Sequence, residues 1–122
     1  MSYNFLQPIQ IISAGDMSGS ITSPVIETKL QDNLGIQLNW TGAPFGTFDV
    51  QISIDYKKDV NGSVQNPGNW VSLVLIPAIA ASGVPDIAYI DINQICAPYM
   101  RVLYTRGSGS GSLDMYVTGK GV

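Results

Sequence analysis

Reactive side chains are scarce in this sequence. It has no histidine and a single cysteine, Cys96. The lack of histidine excludes the serine–histidine–aspartate triad, the cysteine–histidine pair and histidine-ligated zinc sites. A lone cysteine cannot form an internal disulfide, and between Ile95 and Ala97 it is interpreted as a small buried hydrophobic residue, with a reactive thiol as the alternative. We therefore predict no catalytic residue, no metal site and no cofactor, and the chain is not expected to be an enzyme.

Charged side chains are also few. Only 12% of the residues are charged, six of them basic and nine acidic, and the net charge is −3. The basic residues form no cluster larger than Lys57-Lys58, so nucleic acid is not an expected partner. Because the surface must then consist mostly of uncharged polar side chains, little charge repulsion opposes contact with neighbours. Assembly subunits have this property, and so do many binding modules.

Long hydrophobic runs are missing as well. No stretch approaches the roughly 18 consecutive apolar residues that a membrane span needs. Residues 1–5 contain neither a basic region nor a long apolar segment. We expect no signal peptide, no membrane span and synthesis in a cytoplasm.

What the sequence does contain is alternation of apolar and polar residues, within 34–41 and again within 48–55. Successive side chains of a β-strand point to opposite faces, so each run predicts a strand with one buried and one solvated face. A short Gly/Pro turn joins them, and we expect two strands of an antiparallel sheet. The apolar sets are Leu34, Ile36, Leu38 and Trp40, then Phe48, Val50, Ile52 and Ile54.

Turn residues recur along the rest of the chain at the spacing of an all-β domain. Residues 99–106 and 113–120 are expected to form a hairpin, with the glycine-rich segment 107–111 as its flexible tip. With about eight strands and no long helix, the predicted fold class is all-β: an antiparallel β-sandwich that is jelly-roll-like. Its expected core comprises Leu34, Ile36, Leu38, Trp40, Phe48, Val50, Ile52, Val102 and Val117.

Residues 1–10 are expected to form an extended N-terminal tail ahead of a single sandwich domain at 11–122. Pro8 keeps the segment extended and blocks a helix. Because an isolated tail has no core in which to bury apolar side chains, it either packs back on its own sandwich or reaches a neighbouring subunit. We assign it to contacts between subunits and expect it to be mobile until assembly. The contact residues are Tyr3, Phe5, Leu6 and Ile9. The alternative is that residues 9–12 form the first strand of the sandwich.

Two features point to ligands. Trp70 follows a Pro-Gly-Asn turn and is a candidate aromatic at the rim of a ligand site, with packing as the alternative. Asp55, Asp59 and Asn61 loosely resemble a calcium loop. Because Lys57 stands where a ligand is needed, a solvated loop is the preferred interpretation.

Several segments resemble small β-sandwich proteins of tailed bacteriophage particles. They are residues 19–26 (GSITSPVI), 32–42 (DNLGIQLNWTG), 44–48 (PFGTF) and 98–120, which begins PYMRVLYTRGSGSGSL and ends TGK. The likeness is one of strand and turn texture over most of residues 19–120. It implies a structural protein of the virion, made in the cytoplasm of the bacterial host.

The resemblance implies, first, a capsid decoration or cement protein that stabilises the shell through subunit contacts. Its partners would be copies of itself, expected as a trimer, and the major capsid protein or other virion proteins. The alternative is a receptor- or glycan-binding module of a phage tail or head fibre, with a host-surface glycan as ligand. Residues 99–102 are similar to part of a hairpin in discoidin-like carbohydrate-binding sandwiches, which belongs with the alternative.

Overall fold

Antiparallel strands dominate the structure, a computed structural model that describes residues 4–28, 33–73, 78–92 and 97–121. Twelve strands and no helix occur in these ranges. In chain order they are β1 (Asn4–Asp16), β2 (Ile21–Thr22), β3 (Ile26–Glu27), β4 (Asn33–Gly42), β5 (Phe45–Ser53), β6 (Lys57–Lys58), β7 (Val64–Asn66), β8 (Val71–Leu73), β9 (Ala80–Ser82), β10 (Asp86–Ile92), β11 (Tyr99–Ser108) and β12 (Gly111–Gly121). Cys96, expected to be buried, lies outside the described residues.

Two sheets form the sandwich. Sheet A has the strand order β1-β12-β4-β10, and sheet B has the order β2-β11-β5-β8, with β3 beside β11 and β9 beside β5. Along β11, β2 and β3 follow each other as one broken strand, and β8 and β9 do the same along β5. Apart from the β6–β7 hairpin, each sheet then has four strand positions within the described ranges. This is the order of a jelly roll, and the predicted all-β antiparallel sandwich is confirmed.

Strands that follow each other in the sequence mostly lie in opposite sheets. β4 belongs to sheet A and β5 to sheet B, and β11 and β12 are divided in the same way. The expectation that the two alternating runs share a sheet was therefore wrong, and so was the hairpin expected around residues 107–111. In both cases the strands bury their apolar faces against each other across the core. This arrangement requires the same alternation of apolar and polar residues as a hairpin does.

The connections β4–β5 and β11–β12 cross at one end of the sandwich and pack closely. The amide of Ala43 donates to the carbonyl of Ser110 at 2.9 Å. A Cβ at Gly109 would lie 2.1 Å from the carbonyl oxygen of Ala43, and one at Gly111 would lie 2.0 Å from that of Thr41. Gly109 also has a φ of 73°, in the left-handed region that favours glycine. The glycine-rich segment is thus a crossing between the sheets that packs on the β4–β5 connection, rather than the hairpin tip expected there.

The core between the sheets contains the residues expected from alternation. Eight of the nine expected side chains are buried, and Ile52 is partly buried against them. Aromatic rings line the core: the centroids of Trp40 and Phe48 are 5.2 Å apart across the two sheets, and those of Phe48 and Tyr104, neighbours in sheet B, are 5.0 Å apart. Burial of each large side chain stabilises the fold by roughly 1.5–3 kcal/mol. The predicted core is confirmed.

The N-terminal segment is a strand rather than a free tail. From Asn4 onward it pairs with β12, although three register shifts interrupt the pairing. The boundary expected after residue 10 falls inside this strand, so the extended tail was wrong from residue 4, and the alternative for residues 9–12 is confirmed. Without β1, the backbone of β12 would be unpaired along one side. Pro8 is tolerated because β1 is the edge of the sheet.

Candidate functional site

The outer face of sheet A carries an array of polar and aromatic side chains, which we call the polar face. Along β4, Ile36 and Leu38 are buried in the core, while Gln37 and Asn39 lie on the opposite side. Strand register determines which outward residues are neighbours on adjoining strands. The polar face comprises Gln10, Gly35, Gln37, Asn39, Thr41, Ile87, Tyr89, Asp91, Ser112, Asp114, Tyr116 and Thr118.

One row of the polar face crosses all four strands. Gln10 lies opposite Tyr116, and Tyr116 lies opposite Gln37. Gln37 in turn lies opposite Tyr89 on β10. The two tyrosines are therefore separated by two strand spacings, about 10 Å. A ligand that contacts both rings must extend across the strands.

Tyr89 lies along the sheet surface because Gly35 leaves room for it. A Cβ at Gly35 would be 2.7 Å from the Tyr89 hydroxyl and 3.0 Å from its ring atom Cε1. Gly35 is consequently buried although its position faces outward, whereas Tyr89 is 63% exposed. The ring is supported by backbone beneath it and is otherwise open to solvent. An aromatic ring held in this way offers a flat apolar platform.

Amides beside this ring keep part of their hydrogen-bonding capacity. Gln37 Nε2 donates to Asn39 Oδ1 at 3.0 Å, which orients both side chains. A primary amide has two donor hydrogens and an acceptor oxygen, so the pair still presents the Gln37 oxygen and the Asn39 amino group. Asp114 is engaged differently, because it accepts from the Ala14 amide at 2.9 Å and from Gln10 Nε2 at 3.2 Å. Its carboxylate thereby holds the irregular part of β1.

A recess of about 190 Å³ opens beside Tyr89 at one end of the polar face. It is lined by Asn33, Leu34, Gly35, Tyr89, Asp91, Thr118 and Gly119. Asp91 is exposed there and is a ready acceptor of hydrogen bonds. The described side chains of the polar face include carboxylates and no lysine or arginine. Their potential therefore disfavours anionic ligands.

β10 is an unprotected edge of sheet A. It pairs with β4 on one side, and no strand of the described ranges pairs with the other side. Its seven residues keep an unbroken register and include no proline or lysine, and its charges are Asp86 at the start and Asp91 near the end; β1 at the opposite edge has Pro8 and three register shifts. Edges of this kind offer unpaired N–H and C=O groups to another chain. Two exposed apolar side chains lie at the start of this strand, and we call them the apolar corner: Ile87 within β10 and Val84 two residues before it.

Three of the four residues predicted for subunit contact lie in β1. Tyr3 lies outside the described residues. Phe5, Leu6 and Ile9 are in the strand, opposite residues of β12, and Ile9 is 45% exposed. Their role in contacts between subunits stays a prediction.

Trp70, the predicted rim aromatic, belongs to a cluster on the outer face of sheet B. The Arg101 guanidinium lies 4.3 Å from the centroid of the Trp70 ring, a cation–π contact, and Arg101 Nε donates to Gln51 Oε1 at 2.9 Å. Tyr56 packs against the same indole with the centroids 5.7 Å apart. The indole N–H donates to the Pro67 carbonyl at 2.9 Å. Trp70 is thus engaged within the protein, and its ligand role stays a prediction.

The loop that loosely resembled a calcium site consists of turns closed by their own carboxylates. Asp55 accepts from the backbone and side-chain N–H groups of Asn69, both at 2.7 Å, and these bonds hold the pKa of its carboxyl below the ordinary value. Asp59 accepts from the amides of Asn61 and Ser63, both at 2.9 Å. Across the described ranges, no three potential metal ligands lie close enough to share an ion. Nor does any helix there have the length and apolar character needed to cross a membrane.

Sequence reasoning placed Gln37 and Asn39 on a solvated face but did not single out Gly35, Tyr89 or Tyr116. Their signal is the register of β4 with β10 and β12, which brings the two tyrosines to either side of Gln37. Alternation within one strand contains no such information.

Comparisons with known proteins identify the fold. No family model matches the chain, and no curated protein matches it by sequence. The SPBc2 prophage-derived protein YomS matches in structure with a TM-score of 0.54 and 9% identity, over 98% of this chain and 96% of YomS. Dimeric latent PorU from Porphyromonas gingivalis matches with a TM-score of 0.50 and 9% identity, over 99% of this chain and 13% of PorU. Chitosan-binding module 1 of a Paenibacillus sp. IK-5 chitosanase/glucanase matches with a TM-score of 0.49 and 18% identity, over 90% of this chain and 74% of the module chain. The chain is thus a β-sandwich of a kind that a phage-derived protein shares.

Proposed function

We propose that this protein is a structural component of a phage virion, where it decorates the capsid and stabilises the shell through contacts with neighbouring subunits. The observation that carries the proposal is the unprotected edge of β10 beside the apolar corner. The likeness of fold to prophage-derived YomS, over nearly the whole of both chains, supports a phage setting. The low content of charged residues, 12%, favours contact with neighbouring subunits because little charge repulsion opposes it.

Attachment takes place by strand addition in this proposal. An extended segment of a shell protein pairs with β10 and continues sheet A, so that the backbone groups of both strands are satisfied. The apolar corner then loses contact with water, which contributes roughly 25 cal/mol per Å² of apolar surface buried. Each contact is small, and many copies on one shell, or a trimer of this chain, make attachment firm through multivalency.

Purified virions test the location of the protein. We expect mass spectrometry to find it in many copies per particle and antibody labelling to place it on the capsid. Light scattering of the free protein checks for the trimer. Absence from purified particles contradicts the proposal.

The contact surface is tested by rebinding of the recombinant protein to particles that lack it. Val84→Lys places a charge in the apolar corner, and we expect it to weaken rebinding about tenfold, since burying an unpaired charge is costly. Val64→Lys is the matched control, because Val64 lies in the β6–β7 hairpin and is 53% exposed against 56% for Val84. Equal effects of the two substitutions contradict a role for the β10 edge.

The polar face favours a second candidate role, recognition of a host-surface glycan by a module of a phage tail or head fibre. Its paired amides and open tyrosine ring are groups that contact sugars without any catalytic step. Strand addition at β10 would cover Ile87 at one corner of this face and leave the rest open, so one chain can serve in both roles. Neither role includes catalysis.

A further inference from the structure

We propose that the polar face binds an extended glycan without acidic groups, and that the ring of Tyr89 is its stacking platform. The proposal rests on the glycan-recognition role and supplies its surface and its ligand class. It does not depend on capsid decoration, because the isolated protein suffices to measure binding.

Stacking is the first argument. A pyranose ring has faces made of C–H groups, which pack on the electron-rich face of an aromatic ring. Tyr89 is suited to this contact because Gly35 lets it lie along the sheet while 63% of it stays exposed. Tyr116 is in the same row with Gln37 between the two rings. A chain of sugars laid across the strands therefore meets a ring, an amide and a second ring.

Hydrogen bonding is the second argument. Each sugar hydroxyl donates one hydrogen bond and accepts others, so neighbouring hydroxyls fit a surface that offers both kinds of group. The Gln37–Asn39 pair offers an acceptor oxygen and donor hydrogens next to the platform. Asp91 adds an acceptor in the recess beside Tyr89. In the free protein water occupies these positions, and a sugar replaces it with matching groups.

Charge determines the class of glycan. Asp91 and Asp114 are the charged side chains described on the polar face, the described arginines lie on β11 in the other sheet, and Lys120 pairs through its backbone with Asn33 at the end of the face. The two carboxylates disfavour carboxylated or sulfated sugars and leave neutral sugars and protonated amino sugars as the expected ligands. The outer face of sheet B carries a positive charge, Arg101, but this side chain is already engaged with Gln51 and Trp70.

The test is a printed array of neutral, amino and acidic glycans probed with the intact protein, followed by calorimetry on soluble oligosaccharides that bind. We expect binders only among the neutral and amino sugars. Tyr89→Ala should weaken binding about tenfold, through loss of the stacking contact. Gly35→Ala keeps the tyrosine but displaces its ring, and we expect a loss of about threefold or more. The Tm of each variant shows whether it is folded.

Trp70→Ala is the matched control, since it removes an aromatic side chain from the outer face of the opposite sheet, and it should leave affinity unchanged. The proposal is overturned if no neutral or amino glycan binds, if acidic glycans bind best, or if Tyr89→Ala and Trp70→Ala weaken binding equally. If no glycan binds but the protein is found on virions, the glycan proposal is contradicted and the capsid-decoration proposal is not. Absence from virions, with glycan binding retained, contradicts decoration alone.

Discussion

Replacing Tyr104 by phenylalanine should stabilise the protein. The Tyr104 side chain is 1% exposed, and its hydroxyl has no hydrogen-bond partner within the described structure. A buried hydroxyl without a partner gives up its hydration and receives nothing in exchange, at a cost of about 1–3 kcal/mol. Phenylalanine retains the ring contact with Phe48, whose centroid is 5.0 Å away, so only the oxygen is removed.

We expect Tyr104→Phe to raise the free energy of unfolding by about 1–2 kcal/mol. For a chain of 122 residues this corresponds to a rise in Tm of roughly 4–8 °C. Urea denaturation at neutral pH measures the first quantity and calorimetry the second. Tyr116→Phe is the control, because Tyr116 is only half-buried on the polar face and its hydroxyl can reach water, so little change is expected. A destabilised Tyr104→Phe variant would refute the reasoning, since it would mean that the hydroxyl is satisfied in solution.

Alkaline pH gives an independent check on the same residue. Burial raises the pKa of the Tyr104 hydroxyl above its ordinary value of 10.0. The folded state then holds this proton more tightly than the unfolded chain does. The resulting contribution to the free energy of unfolding is complete below the ordinary pKa and is lost as the pH rises above it. The phenylalanine variant has no such loss at residue 104. Its advantage over the wild type should therefore widen as the pH rises above about 10.

Three further predictions concern the core, the crossing and a loop. Ile36→Ala, at a fully buried position of β4, should lower the free energy of unfolding by about 2–5 kcal/mol in urea denaturation. Gly109→Ala should lower the Tm more than Gly107→Ala does. A Cβ at residue 109 would lie 2.1 Å from the Ala43 oxygen, whereas the nearest atom to a Cβ at residue 107 is 3.2 Å away. Equal shifts in Tm would contradict the close packing of this crossing. Asp55→Asn should make the Tm depend less on pH in the acid range. The lowered pKa of Asp55 stabilises the folded state above the ordinary pKa of 3.8, and this stabilisation is lost as the pH falls below that value. An unchanged dependence of Tm on pH would contradict this.

The core could be predicted from the sequence because parity within a strand reports which side chains face inward, whatever the strand pairs with. The same parity cannot distinguish a hairpin from a connection that crosses between sheets, since both bury the same faces. The close approaches at Gly109 and Gly111 are made by Ala43 and Thr41, which are far away in the sequence. They are tertiary contacts that no local pattern contains, and for this reason the segment was mistaken for the tip of a hairpin.

The first strand and the polar face depend on pairing in the same way. Residues 4–8 contain Pro8 and no clear alternation, and they become a strand because β12 offers a partner. Tyr89 and Tyr116 are distant in the sequence and meet in one row because both strands pair with β4. The role of Gly35, which leaves space for the Tyr89 ring, can be recognised only when the pairing of β4 with β10 is known. Sequence reasoning could identify the solvated parity of β4 but not the surface built on it.

The central place of β12 in sheet A has a consequence for biosynthesis. β12 separates β1 from β4, so this sheet cannot close until residues 111–121 have left the ribosome. Until then one edge of β4 has unpaired backbone N–H and C=O groups, a state that favours chaperone binding or aggregation. Pairing between strands so far apart in the chain is also slow, on the order of milliseconds to seconds. Translation that stops before residue 111 leaves two strands without their shared partner, and we expect such fragments to be degraded instead of accumulating as soluble competitors.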